Sequence, residues 1–133
     1  MATNTAGTTG NAPASGSAQA TPLDQRRCVP CEGGCAALTP EQIAPLLSQV
    51  PGWRVEDGGP GAPSKLVRSY RFDNFVHAVD FVNAITPIAE AEGHHPDLFV
   101  RWGEVRVELW THAAGGLTEN DFILAAKIDA RDK

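Results

Sequence analysis

Apolar side chains recur every three or four residues in three stretches of the chain, and this spacing predicts three amphipathic helices. The first helix is predicted to begin at Thr39-Pro40, because threonine caps a helix and proline suits its first position. The longest helix is predicted to begin at Asp73 or Asn74 and to end near Gly93. The last follows Thr118 and reaches toward the C-terminus.

The longest helix is expected to turn one apolar stripe toward the protein core. The members of this stripe are Phe75, Val79, Val82, Ile85 and Ala89, with Val76 and Ile88 at its border. His77 lies off the stripe and is expected at the surface. A helix with such a stripe needs an apolar surface to lie on, and the remaining elements predict a sheet.

Apolar and polar residues alternate in the gaps between the helices, as they do in strands. The alternating stretches are Trp53–Glu56, Lys65–Phe72, Asp97–Trp102 and Glu104–Trp110. A Gly/Pro-rich run at 57–63 joins the first pair and Gly103 joins the second, so two hairpins are expected. The order helix, strand, strand, helix, strand, strand, helix predicts an α+β fold. It would have a four-stranded antiparallel sheet with three helices packed on one face.

Residues 1–37 are predicted to form a disordered tail with a Cys-x-x-Cys turn, ahead of a single domain at 38–133. From Ala2 to Pro22 the chain carries no charge and no large apolar side chain. Such a segment cannot bury enough surface to offset the entropy lost on ordering. Its bias toward alanine, serine and threonine leaves an organellar transit peptide open as an alternative.

A chain of 133 residues with 42% hydrophobic content has room for one domain with a substantial core. The net charge is −5 and the 11 lysines and arginines are scattered, so no nucleic-acid surface is predicted. No apolar run approaches the ~20 residues that cross a bilayer, and the start lacks the pattern of a secretory signal. We therefore expect a cytoplasmic protein that binds neither nucleic acid nor a membrane.

Three cysteines, Cys28, Cys31 and Cys35, lie close together at the end of the predicted tail. A Cys-x-x-Cys turn can hold half of a zinc site or a redox pair, because two thiolates at that spacing converge on one point. Three cysteines leave a tetrahedral zinc site one ligand short, and the sequence has no second Cys-x-x-Cys. A turn with ordinary thiols is the expectation, with zinc binding or redox chemistry as alternatives.

Three of the 4 histidines, His94, His95 and His112, fall within residues 90–121. An unperturbed imidazole titrates near pH ~6.5, so it can take or give a proton at neutral pH. Several imidazoles in one site can remove a proton from one substrate atom and deliver another to a leaving group, which is the chemistry of a dehydration. The first two follow the predicted end of the long helix, and the fourth strand would bring His112 back beside them.

Three further residues are candidates for positioning these imidazoles. Glu90 lies about one helical turn before His94 and can hydrogen-bond an imidazole, and Asp121 is a second candidate. Either carboxylate could equally be a solvated helix charge. Pro96 restricts His95 to extended conformations. Zinc ligation by all three histidines is the alternative, although neighbouring residues of an extended segment point to opposite sides and do not readily chelate one ion.

Four short motifs belong to this part of the chain. They are Glu90-x-x-x-His94-His95-Pro96, an aromatic residue at Phe99 or Trp102, Thr111-His112, and Gly116-Leu117-Thr118-x-x-Asp121. Together they resemble the motifs of the pterin-4a-carbinolamine dehydratases. The resemblance extends from about Leu38 to the C-terminus, and its most specific part is the doubled histidine with proline together with the later Thr-His.

The resemblance implies the α+β fold described above, self-association into dimers or tetramers, and no metal or organic cofactor. It implies dehydration of 4a-hydroxytetrahydrobiopterin to quinonoid dihydropterin, which regenerates the cofactor of aromatic amino-acid hydroxylases. His94 and His112 would act as general acids toward the departing hydroxyl, and His95 would bind substrate and act as a base. Phe99 and Thr111 would bind or orient the substrate. The same resemblance leaves a non-enzymatic scaffold open, either a RuBisCO assembly chaperone or a transcription-factor dimerisation partner.

Overall fold

The computed structural model describes residues 21–30 and 35–131, which contain three α-helices and four strands. The helices are α1 (Pro40–Leu47), α2 (Phe75–Glu92) and α3 (Glu119–Arg131). The strands are β1 (Arg54–Glu56), β2 (Lys65–Arg71), β3 (Asp97–Arg101) and β4 (Glu104–Leu109). All seven predicted elements are confirmed, and the ends of the strands agree with the prediction to within one residue.

The strands form one antiparallel sheet in the order β1-β2-β4-β3. Both predicted hairpins are present, and they join through β2 and β4, whose register pairs Tyr70 with Val105. Helix α2 connects the two hairpins, so its C-terminal end leads directly into β3 at the edge of the sheet. The residues between α2 and β3 are the doubled histidine and Pro96.

The core lies between one face of the sheet and the three helices. Its largest buried side chains include Leu66, Ile85, Leu109, Phe122, Ile123, Leu124 and Ile128. Alternate residues of β4 point to the opposite face, where Arg106 forms ion pairs with Glu56 and Glu108. The predicted α+β fold is therefore confirmed, with helices on one face of the sheet and charged side chains on the other.

The helices begin and end at residues with clear local causes. Thr39 and Gln42 form a reciprocal capping box at the start of α1. Of the two candidate caps of α2, Asn74 is the correct one, since its side-chain oxygen accepts a hydrogen bond from the His77 amide at 2.8 Å. Gly93 ends α2 in the left-handed conformation, with φ of 65°, which a glycine adopts at no steric cost.

The apolar stripe predicted for α2 is correct in Ile85 and Ala89 but wrong at the start of the helix. Phe75 and Val76 are exposed, and the buried residues of α2 are Ala78, Phe81, Ile85 and Ala89. The ring of Phe81 packs on those of Tyr70 and Phe72, with centroids 4.6 Å and 5.2 Å away, and this contact turns the helix. Within residues 21–30 and 35–131, no helix has the length and hydropathy of a membrane span.

Residues 21–30 pack against the domain although they fall within the predicted tail. Leu23 is buried in the core beside α3, and Arg26 forms an ion pair with Glu119. One leucine and a few polar contacts order this segment. So few ordering residues do not change the composition enough to predict an ordered segment. Residues 1–20 and 31–34 of the predicted tail lie outside the described residues, and the domain boundary at residue 38 stays a prediction.

Asp129 of α3 joins the helix to the sheet. Its carboxylate accepts hydrogen bonds from the Trp53 indole at 2.9 Å, the Arg68 guanidinium at 2.8 Å and the Tyr70 hydroxyl at 2.5 Å. Alanine at this position would leave these largely buried donors without their acceptor. We expect Asp129→Ala to lower the free energy of unfolding by about 2–3 kcal/mol, measured by urea denaturation.

The matched control for this change is Asp80→Ala, at an exposed aspartate of α2. It should change the free energy of unfolding by less than about 0.5 kcal/mol. Equal stabilities of the two variants would show that Asp129 does not stabilise the packing of α3 on the sheet.

Candidate active site

The doubled histidine is fixed by the end of α2. The amides of Gly93 and His94 donate to the carbonyl oxygens of Glu90 and Ala89, each at 3.3 Å, and these bonds close the helix. The chain then leaves the helix at Gly93 and enters β3 at Asp97. His94 and His95 therefore lie on a connection of a few residues that is held at both ends.

His94 is held by a buried carboxylate of α3. Its Nε2 lies 2.6 Å from Oδ1 of Asp121, whose side chain is 0% exposed while that of His94 is 13% exposed. The other carboxylate oxygen accepts hydrogen bonds from the Thr118 amide and the Thr111 hydroxyl, both at 2.9 Å. When Asp121 is ionised it can only accept, so the proton of the neutral imidazole lies on Nε2 and Nδ1 is the basic nitrogen.

His95 pairs with the other predicted carboxylate. Its Nε2 lies 2.6 Å from Oε2 of Glu90, and the two side chains are 60% and 69% exposed. The spacing of Glu90 suggested His94 as its neighbour on the helix face, but the chain turns at Gly93 and presents His95 to it instead. The two adjacent imidazoles thus have separate carboxylate partners, one buried and one exposed to solvent.

His112 stands on a short closed loop after β4. The Thr111 amide donates to the Gly116 carbonyl at 2.9 Å, and Gly115 closes the turn with a φ of 70°. The imidazole of His112 stacks on the indole of Trp110, with ring centroids 3.8 Å apart and planes inclined by 25°. The backbone of the loop and the aromatic contact together determine where this ring lies.

One cleft of about 500 Å³ is lined by all three imidazoles. Its lining residues are Pro30, Gly93, His94, His95, Pro96, Asp97, Trp110, Thr111, His112 and Ala113. This volume falls within the range of small-molecule sites. The arrangement brings a buried carboxylate-bound imidazole, an exposed one and a stacked one to the same cavity. Such a site can give and take protons at several positions of one bound molecule.

Two of the predicted substrate-binding or orienting residues, Pro96 and Thr111, line this cleft, but Phe99 does not. Phe99 is 52% exposed on β3 and lines a different cleft, with Arg101 and Arg106. By strand alternation its side chain points away from the helices. A role of Phe99 in substrate binding stays a prediction. The position of its side chain does not support it.

Trp110 is a lining residue that the sequence reasoning missed. The signal in the sequence is its position, an aromatic residue directly after β4 and two residues before His112. The indole nitrogen of Trp110 is buried and, within the described chain, has no hydrogen-bond partner. Thr118 was predicted as a helix cap, but its hydroxyl lies 2.8 Å from that of Thr111 and belongs to the Asp121 network.

The cysteines are arranged differently from a shared zinc site. The Cys28 sulfur lies 3.5 Å from the Asn120 carbonyl oxygen, and burial, with the nearby charges of Glu92 and Asp121, raises its pKa to about 12. The expected turn with ordinary thiols is wrong for Cys35, which is disulfide-bonded, and Cys31 lies outside the described residues. Among residues 21–30 and 35–131, no three His, Cys, Asp or Glu side chains are placed to hold a metal ion, and this applies to the three histidines as well.

The fold and the cleft define an α+β protein with a candidate acid–base site made of histidines. The family model described as pterin 4 alpha carbinolamine dehydratase matches residues 36–131. A protein of Methylococcus capsulatus, provisionally named pterin-4-alpha-carbinolamine dehydratase, is 49% identical over 107 residues, which cover 80% of this chain and 90% of that protein. A protein of Rickettsia canadensis with the same provisional name is 48% identical over 112 residues, covering 84% and 98%.

A solved structure with a similar fold is also named a pterin dehydratase. A transcriptional coactivator/pterin dehydratase from Brucella melitensis is 33% identical, with a TM-score of 0.64, and the match covers 71% of this chain and 96% of that one. The chain belongs to the pterin-4a-carbinolamine dehydratase family.

Proposed function

We propose that this protein dehydrates 4a-hydroxytetrahydrobiopterin, a pterin-4a-carbinolamine, to quinonoid dihydropterin by histidine acid–base catalysis. The observation that carries the proposal is the convergence of His94, His95 and His112 on one cleft of about 500 Å³. Family membership supports the choice of a pterin as substrate. A scaffold that works through its surface has no physical need for three imidazoles around a cavity.

The reaction needs two proton transfers at neighbouring atoms. The bond between C4a and the hydroxyl oxygen breaks, a general acid protonates the departing oxygen, and water leaves. The lone pair of N5 forms a double bond to C4a, and a base removes the N5 proton. We assign the acid role to His94 and His112 and the base role to His95, because imidazole is the side chain best suited to giving and taking protons at neutral pH.

The environments of the imidazoles fit these roles. Asp121 holds Nε2 of His94 at 2.6 Å and fixes the orientation of the ring, so that Nδ1 is the nitrogen free to exchange a proton with the leaving group. His95, exposed and bonded to Glu90, can pass a proton on to solvent. Because the adjacent ring nitrogen assists the elimination, correctly placed protons suffice, and the proposal includes no metal or organic cofactor.

The proposal places the protein in tetrahydrobiopterin recycling, downstream of an aromatic amino-acid hydroxylation that produces the carbinolamine. A cytoplasmic location is part of this proposal.

The direct test is conversion of chemically prepared 4a-hydroxytetrahydrobiopterin, followed by ultraviolet absorbance at neutral pH. We expect the protein to accelerate loss of the 4a-hydroxyl well beyond the spontaneous rate in the same buffer. His77→Ala serves as the control, because His77 is exposed on α2 and is not among the residues that line the histidine cleft. Conversion at the spontaneous rate would favour the scaffold alternative; the Brucella protein is named a transcriptional coactivator as well as a pterin dehydratase.

We further propose that the chain forms a homodimer or homotetramer. Apolar side chains are exposed at the edge strand β3 and the turn after it, namely Phe99, Val100 and Trp102, and at the start of α2, namely Phe75 and Val76. An edge strand with apolar side chains can pair with a second copy. Light scattering coupled to size exclusion should give at least twice the mass of 14.1 kDa, and a monomer at micromolar concentration would contradict this.

A further inference from the structure

Residues 26–30, which we call the N-terminal strap, extend from the start of α3 to the histidine cleft. At one end Arg26 forms an ion pair with Glu119. At the other end Pro30 is one of the residues that line the cleft. The strap lies outside residues 36–131, so the family match assigns it no function.

Asn120 of α3 holds the strap through both groups of its amide. Its Oδ1 accepts a hydrogen bond from the Val29 amide at 3.0 Å, and its Nδ2 donates to the Val29 carbonyl at 2.6 Å. The side chain thus pairs with the backbone of one residue in both directions, as a neighbouring strand would. Because Asn120 is itself buried, this pairing fixes Val29 and limits the movement of Pro30, which follows it.

Glu92, the last residue of α2, is the second anchor. Its carboxylate accepts a hydrogen bond from the Cys28 amide at 2.8 Å and forms ion pairs with Arg27 and Lys127. Burial alone would raise the pKa of Glu92, but the Cys28 amide and the two cations outweigh it and hold the pKa below its ordinary value. The carboxylate is therefore ionised at neutral pH. It binds the strap at Cys28, the residue before the one that Asn120 holds.

Neighbouring residues at the start of α3 hold two different parts of the cleft lining. Asn120 fixes the strap and therefore Pro30, whereas Asp121 fixes His94. Since both residues belong to the same helical turn, the separation of Pro30 from His94 depends on one rigid element. The Pro30 ring adds to the apolar surface that Pro96 and Trp110 give the lining beside the three imidazoles.

We propose that the N-terminal strap is a substrate-binding wall of the cleft and that Asn120 is its positioning residue. The proposal rests on the proposed function, and it assigns the strap to the non-reacting part of the pterin. A contact with a part of the substrate that does not change during the reaction stabilises ground state and transition state alike. Its loss therefore raises KM and leaves kcat nearly unchanged.

The test compares three variants of the full-length chain. Asn120→Ala removes the anchor, Pro30→Gly removes the apolar ring, and His77→Ala is the control. The His77 side chain is exposed on α2, lies outside the strap and is not among the residues that line the histidine cleft. We expect Asn120→Ala and Pro30→Gly to raise KM by about five- to ten-fold, with kcat within about two-fold of the wild type, and His77→Ala to change neither.

A second measurement separates this proposal from the proposed function. Binding of 7,8-dihydrobiopterin, which lacks the 4a-hydroxyl, is followed by calorimetry and should weaken by the same factor in the first two variants. If the wild type binds this pterin but has no dehydratase activity, the proposed function is wrong. The Kd values of the variants then test by themselves whether the strap binds the pterin. If KM and Kd are unchanged in Asn120→Ala and Pro30→Gly, the strap is not a substrate-binding wall. If Asn120→Ala does not fold, Pro30→Gly decides, and a wild type that neither binds nor reacts overturns both proposals.

Discussion

Replacing His112 or His95 by alanine is expected to lower kcat for dehydration of 4a-hydroxytetrahydrobiopterin by about 10²- to 10⁴-fold, the usual contribution of a positioned acid or base. His112 would lose the acid role and His95 the base role, and solvent replaces either only poorly. The loop that carries His112 is closed by the backbone of Thr111, and His95 is largely exposed. Both variants should therefore keep the wild-type far-ultraviolet circular dichroism spectrum and lose less than about 1 kcal/mol of stability.

The measurement is single-turnover conversion with enzyme in excess, so that product release does not hide the chemical step. His77→Ala is again the control and should react at the wild-type rate. Wild-type rates for both cleft variants would refute histidine acid–base catalysis. If only one variant loses activity, the catalytic residues would be the histidine replaced in that variant and His94.

Asp121→Ala is the change expected to damage both activity and stability. The buried carboxylate bonds to His94, to the Thr111 hydroxyl and to the Thr118 amide. Its removal leaves the Thr118 amide and Nε2 of His94 without their partner, and the start of α3 then keeps the contact between the Thr118 and Thr111 hydroxyls as a link to the loop of His112. We expect a loss of about 2–4 kcal/mol in the free energy of unfolding and a fall in kcat of about 10²-fold.

Asp121→Asn separates the two effects. The amide keeps the shape and one acceptor oxygen, so the loss of stability should be smaller than for alanine. It carries no charge to stabilise the protonated imidazole of His94, and its NH₂ group can donate to Nε2 and favour the other tautomer. The fall in kcat should therefore be close to that of alanine. An Asp121→Asn variant with wild-type kcat would show that Asp121 acts through packing alone.

Several features of the site follow from short stretches of sequence. Gly93 after the apolar-periodic segment predicts the end of α2, because glycine adopts the left-handed conformation that closes a helix. The doubled histidine must then occupy the short connection to β3. The alternation along β4 likewise predicts a strand that ends near His112. These are local consequences of periodicity and backbone stereochemistry, and the structure confirms them.

Other features depend on contacts between residues that are distant in sequence. Glu90 had two imidazoles within reach, and the turn at Gly93 pairs it with His95. Phe99 follows the histidine motif closely in sequence, yet its strand directs it away from the cleft. For α2, the predicted stripe began at Phe75, whereas the ring contacts of Phe81 accompany burial of a different face at the start of the helix.

The amino-acid sequence by itself determined the helices, the hairpins, the α+β class and the three histidines as the chemically capable residues. Each of these depends on spacing along the chain or on the chemistry of a residue type. The tertiary structure alone decided which carboxylate holds which imidazole, that Trp110 stacks on His112, and that the N-terminal strap reaches the cleft. The contacts of the strap join residues as far as 93 apart in sequence, as between Arg26 and Glu119, and only the packing of the helices on the sheet brings them together.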